Sequence, residues 1–93
     1  MKAVWQGRVI AESGETREAG GYTYFPREAV RMELLRKAAR TESDLACPHG
    51  VQFYDVVEGG RVSPRAAWSY EAPKPALSAV HHWIGFWRDV VVE

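Results

Sequence analysis

One cysteine, Cys47, is all the chain has, so no internal disulfide can brace it. Charge of one sign is also missing, since 12 Lys and Arg balance 12 Asp and Glu. Without a basic excess there is no field to draw in a phosphate backbone, and nucleic-acid binding is not expected. No run approaches the ~20 apolar residues that would cross a bilayer. Polar residues interrupt MKAVWQGRVIAES where a signal peptide would need an apolar core. The expectation is a protein of the cytoplasm with no membrane partner. Internal repeats and low-complexity segments are absent too.

What remains is the composition of an ordinary globular chain, 46% hydrophobic and 26% charged over 93 residues. That length supports one core and predicts a single domain over 1–93. Four Trp, four Tyr and three Phe supply large, stiff pieces for so small a core. Their N–H and O–H tips need partners, and some of the rings are candidates to line a pocket.

Turn signals divide the chain into short strands. KAVWQGRVIAE reads as a hairpin turning at Gln6-Gly7, because glycine supplies the positive φ of a tight turn. Thr16 to Ala19 reads as a third strand, Gly20-Gly21 as a break, and YTYF (22–25) as an aromatic, β-branched strand. From Pro26 the period changes. Pro suits a first helical turn, Glu28 complements the positive end of the dipole, and Val30, Leu34, Leu35 and Ala38 fall at helical spacing. This predicts one helix at about 26–40. Its five basic residues (Arg27, Arg31, Arg36, Lys37, Arg40) against Glu28 and Glu33 read chiefly as a solvated face.

VQFYDVV (51–57) and the run after Gly59-Gly60 form a second hairpin; Pro64 limits the return strand and Ala66 to Tyr70 resume it. Pro73 and Pro75 mark a stiff, extended connection. The tail predicts two strands separated near Arg88-Asp89. The fold class is mainly β (α+β): a compact antiparallel split sheet or barrel-like form with one helix.

Chemistry has few places to sit. Cys47, His49, His81 and His82 are the whole inventory of Cys and His. No CxxC or HxxxH pair is present, and adjacent strand residues such as His81 and His82 point to opposite faces. No metal site is predicted. Cys47 with His49 could form a thiol centre, since a nearby imidazolium lowers a thiol pKa; equally, ACPHG reads as a shaped turn carrying a buried thiol. Glu12, Glu15 and Glu18 read as a solvated edge, and the glycine pairs as turns, lacking the spacing of a phosphate loop. Tyr24, Arg27, Tyr54, Trp68 and Tyr70 are more informative, because rings beside an arginine can hold a planar or anionic ligand. Core packing explains the same residues.

YTYFPREAV, TESDLACPHG, VQFYDVV, AAWSYEAPKP and IGFW, in that order, resemble the uncharacterised family called domain of unknown function 427, sometimes labelled nucleotidyltransferase-like. The resemblance runs from Val4-Trp5 to Val92. It implies a compact, mainly β fold with one helix, similar to the split-sheet arrangement called Mss4-like, and it implies no mechanism. Family members carry a Lys before the glycine that follows Cys-Pro and a slightly longer link into the strand. Here His49 runs straight into Gly50, so a ligand contact through that Lys is not carried over. Two-cation nucleotidyl transfer needs clustered carboxylates, and Asp44, Asp55 and Asp89 are scattered along the chain.

The expected function is a small-molecule or partner-binding module with an aromatic-lined cleft formed by Tyr24, Arg27, Cys47, His49, Tyr54, Trp68 and Tyr70. The cofactor and the identity of the small molecule or protein partner are left unknown. The alternatives are an enzyme using Cys47 and His49, a nucleotide-handling protein, or self-assembly through the edge strand at Val90 to Val92. Monomer and small homo-oligomer both fit.

Overall fold

A computed structural model describes residues 1–93 as two antiparallel sheets with short helical turns between them. Strands β1 (Lys2–Trp5) and β2 (Arg8–Glu12) form the first hairpin, closed by Gln6 and Gly7 at φ 49° and 81°. Positive φ at both central residues matches the right-handed strand twist, as the sequence led one to expect. β3 (Arg17–Ala19), β4 (Tyr22–Phe25), β5 (Leu35–Lys37), β6 (Val51–Glu58), β7 (Arg61–Tyr70) and β8 (Ile84–Phe86) follow, and β9 (Val91–Val92) ends the chain. One sheet has the order β2-β1-β9, the other β3-β4-β8-β7-β6-β5. The sheets do not close into a barrel: β3 and β5 remain free edges of the larger one. The radius of gyration, 12.5 Å, is close to the roughly 12 Å of a compact chain this long.

The helix expected at 26–40 does not form. Arg27–Ala29 and Met32–Leu34 are single 3-10 turns, and Leu35–Lys37 is β5. The backbone bonds that a helix would keep to itself go to sheet edges. Val30 bridges Ala11, Arg31 N–H donates to the Ile10 carbonyl (2.9 Å), and Ala38 N–H donates to the Phe53 carbonyl (2.9 Å). Val30, Met32 and Leu34 also alternate with charged residues, a period that an extended chain can use. An isolated helix of such length is marginal in water, so these contacts decide the outcome. The basic residues expected on a solvated helix face instead bind individually: Arg36 to Asp55 (3.1 Å), Arg40 to Gln52 (3.1 Å), and Arg27 to groups described below.

The α-helix is α1 (Glu42–Ala46), five residues long. Thr41 caps it: its hydroxyl accepts from Asp44 N–H (3.2 Å) while the Asp44 carboxylate accepts from Thr41 N–H (3.0 Å). This is the reciprocal capping box, legible as T-E-S-D. Pro75 also departs from expectation, beginning a 3-10 segment, Pro75–Val80, where its missing N–H costs nothing.

Two apolar clusters lie on either side of the larger sheet, following strand alternation. Ile10, Phe25, Tyr54, Val56, Ile84 and Phe86 belong to the cluster shared with the small sheet. Tyr24, Val51, Trp68 and Val80 form the other. β9 pairs with β1 over two residues and leaves Val91 57% exposed, a short edge that offers little to a further strand.

Candidate functional site

Four strands place one residue each in a single cross-strand row: Tyr24 on β4, Gly85 on β8, Trp68 on β7 and Phe53 on β6. Gly85 is the vacancy that makes the row possible. Its φ is not positive; a Cβ there would lie 2.7 Å from Cζ2 and 2.9 Å from Cε2 of Trp68. The indole therefore lies over the glycine. From that position Trp68 packs edge-on to Tyr22 (centroids 5.0 Å), Tyr24 (5.8 Å) and Trp87 (5.7 Å), and tilted to Phe53 (6.3 Å). Its Nε1–H donates to the Tyr24 hydroxyl (3.2 Å). Burial pushes the Tyr24 phenol pKa well above its ordinary range, Trp68 opposing that rise by its hydrogen bond.

Above this floor opens a cleft of about 140 Å³ lined by Tyr22, Val51, Phe53, Trp68, Tyr70 and Trp87. Trp68 is 4% exposed and forms the base; Tyr22, at 41%, stands at the rim. The outer wall is held from α1. Asp44 binds Arg65 (2.7 Å), and the Arg65 guanidinium lies 4.1 Å from the Phe53 ring centroid. Hydrogen bonding to Arg65 holds the Asp44 carboxyl below the usual carboxylate range, against the opposing effect of burial. Arg65 has φ 54° within the β6–β7 irregularity, and its carbonyl accepts from Trp87 Nε1–H (2.6 Å). One arginine thus braces two aromatic walls.

A different cluster occupies the opposite face. Arg27 donates to the Tyr54 hydroxyl (2.7 Å) and to the His82 carbonyl (2.6 Å). Tyr54 meets Ser69 Oγ (3.2 Å), which donates to Glu71 (2.5 Å), and Glu71 faces His82 Nδ1 (3.3 Å) and Arg27 (3.7 Å). Burial works against the Glu71 charge, but Ser69, Arg27 and His82 together hold its pKa below the ordinary value. Ser69 is fully buried, and the Arg27 side chain is about one-third exposed. The arrangement joins β6, β7 and the segment before β8.

A family profile spans residues 1–93. The chain belongs to the family described as Domain of unknown function (DUF427). No curated protein matches it.

In this DUF427 chain the residues expected to share one cleft are divided. Trp68 and Tyr70 line it, and Tyr24 lies beneath as support. Arg27 and Tyr54 belong to the polar cluster behind the sheet. Cys47 and His49 sit in the turn before β6: Gly50 N–H donates to the Cys47 carbonyl (3.3 Å), with Gly50 at φ 65°. The half-buried Cys47 packs against the Trp68 cluster. His49 Nδ1 accepts from Lys74 N–H (3.0 Å), and its ring packs edge-on to Tyr70 (5.5 Å). Cys47 and His49 make no hydrogen bond to each other. Contrary to the alternation argument, the His81 and His82 rings are neighbours (3.9 Å), because His82 adopts φ 65° instead of a strand conformation. Nowhere do three His, Cys, Asp or Glu side chains converge as metal ligands. Tyr22, Val51, Phe53 and Trp87 were missed as lining residues; strand alternation from Tyr24 and from Trp68 was the available signal for the first three, whereas Trp87 lies just beyond β8.

Proposed function

We propose that this DUF427 protein is a binding module whose cleft seats one flat apolar ring. The observation that carries this reading is the lining itself: six apolar or aromatic side chains around about 140 Å³, with an exposed tyrosine at the rim. A dry apolar cavity of roughly 150 Å³ accommodates a benzene ring. Aromatic walls favour offset or edge-on contact with such a guest.

Titration with indole, followed by the indole N–H resonances in nitrogen-edited NMR, tests it. The Trp68 and Trp87 resonances should shift, and that of Trp5, buried in the other cluster, should not. Tyr22→Ala should weaken the effect by removing the rim. Equal shifts at all four tryptophans, or none, would defeat the reading. The competing reading is thiol chemistry at Cys47 with His49. Cys47→Ser should leave affinity for the ring within a few-fold if the cleft alone binds, whereas a thiol enzyme would lose all turnover.

A further inference from the structure

Charge is distributed unevenly around the cleft. None of its six lining residues is charged. The cations near its aromatic face are three arginines, each stacked on a ring: Arg65 on Phe53 (4.1 Å), Arg88 on Trp87 (4.6 Å) and Arg17 on Trp83 (4.4 Å). Arg17 lies on β3 directly across from Tyr24 and so shares its face. Arg65 is neutralised by Asp44. Arg17 and Arg88 take part in no salt bridge. The other aspartates of this region are engaged elsewhere, Asp55 by Arg36 and the Arg65 N–H, Asp89 by the Ser63 hydroxyl.

Arg88 is the better placed of the two unpaired cations. It is exposed, rests on a wall of the cleft, and makes only a 3.4 Å contact to the Pro64 carbonyl. Arg65 and Arg88 are also two of the four non-glycine residues with positive φ, at 54° and 59°. The backbone adopts its less favourable conformation where guanidinium groups meet cleft walls.

We infer that the cleft selects an aromatic acid: one planar ring bearing a carboxylate, the ring seated against Trp68, Phe53 and Trp87, which already touch one another, the carboxylate towards Arg88. This rests on the cleft being a binding site. Stacking on Trp87 orients the guanidinium and leaves its N–H fork for a carboxylate, whose geometry it matches. The volume limits the guest to a small ring system.

Three probes of equal ring and different charge test the inference: indole-3-acetate, indole and tryptamine, titrated at low ionic strength by the same NMR readout. Indole-3-acetate should bind about three- to fivefold tighter than indole, the range of an exposed ion pair, and tryptamine weaker than indole. Salt at about 0.5 M should shrink the difference, because the Debye length then falls to about 4 Å. Arg88→Gln should abolish the preference for indole-3-acetate over indole, and Arg88→Lys should restore part of it. Equal affinity for all three probes, or a preference that survives Arg88→Gln, overturns the inference while leaving the cleft as a binding site. No binding of indole itself overturns both.

Discussion

Substituting Gly85 by Ala tests the packing that creates the cleft floor. The added methyl would lie 2.7 Å and 2.9 Å from two Trp68 ring carbons and 3.0 Å from Cε2 of Tyr24, where ordinary contact begins near 3.4 Å. Tyr24 has no space to move into, and Trp68 can yield only towards the cleft that it floors, which would strain its bond to the Tyr24 hydroxyl. Trp68 and Tyr24 are 4% and 2% exposed, and Trp68 is enclosed by Tyr22, Phe53 and Trp87. Burying a methyl and stiffening the unfolded chain favour the variant by about 1–2 kcal/mol together, but forcing extra volume into a filled core costs about 1–3 kcal/mol net. Displacing the indole also strains its bond to the Tyr24 hydroxyl. We expect about 2 kcal/mol of destabilisation, or a fall in Tm of about 8–16 °C for a chain of this size. Thermal unfolding followed by circular dichroism reads the loss, and the Trp68 indole N–H resonance reads the displacement. Gly59→Ala is the control. A Cβ there meets nothing within 4 Å, but the backbone sits at φ 55°, so the cost is about 1 kcal/mol of conformational strain and the Trp68 resonance stays in place. A Gly85→Ala variant as stable as the parent would mean that the rings have room, and the account of the floor would be wrong.

Trp68→Phe removes the donor to the buried Tyr24 hydroxyl and should cost about 2–3 kcal/mol from an unpaired polar group and lost volume, measured by denaturant unfolding. Because the folded pKa of Tyr24 is raised, its contribution to stability is complete below the ordinary tyrosine value of 10.0 and is lost as pH climbs past it towards the folded value. An ultraviolet phenolate titration should therefore find one of the four tyrosines ionising only as the protein unfolds. Asp44 and Glu71 have depressed pKa values, so their stabilisation is present above the ordinary carboxylate range and fades as pH drops through their folded values; melting temperature should decline below about pH 4. Asp44→Asn loses both the Arg65 ion pair and part of the helix cap and should cost about 2–3 kcal/mol. In the same variant most of the pH-dependent decline assigned to Asp44 should vanish; an unchanged decline would place it elsewhere.

Local chemistry determined the hairpins. Gln6-Gly7 and Gly59-Gly60 permit positive φ at consecutive positions, a need that few other pairs meet. The break at Gly20-Gly21 is legible for the same reason; at Arg88-Asp89 the residue with positive φ is Arg88, which glycine chemistry does not explain. The family assignment was legible as well, because short motifs in a fixed order carry it. The T-E-S-D cap was equally readable, but the longer apolar stripe beginning at Val30 drew the helix prediction upstream. That stripe suits a helix and an alternating strand alike, and hydrogen bonds to β2 and β6, far away in sequence, settled it. The candidate site followed the same division. A wealth of aromatic rings implied a cleft, and Trp68 and Tyr70 do line one. That Arg27 and Tyr54 lie behind the sheet depends on strand pairing. Register set the row Tyr24, Gly85, Trp68 and Phe53, and a one-residue slip would have turned each side chain to the other face. The sequence by itself determined the turns, the strand-rich class and the aromatic supply, since each depends on residues close together in the chain. Only the tertiary structure decided which rings meet, which arginine each ring carries and where the vacancy over Gly85 is filled, since those contacts join residues as far apart in the chain as Arg17 and Trp83.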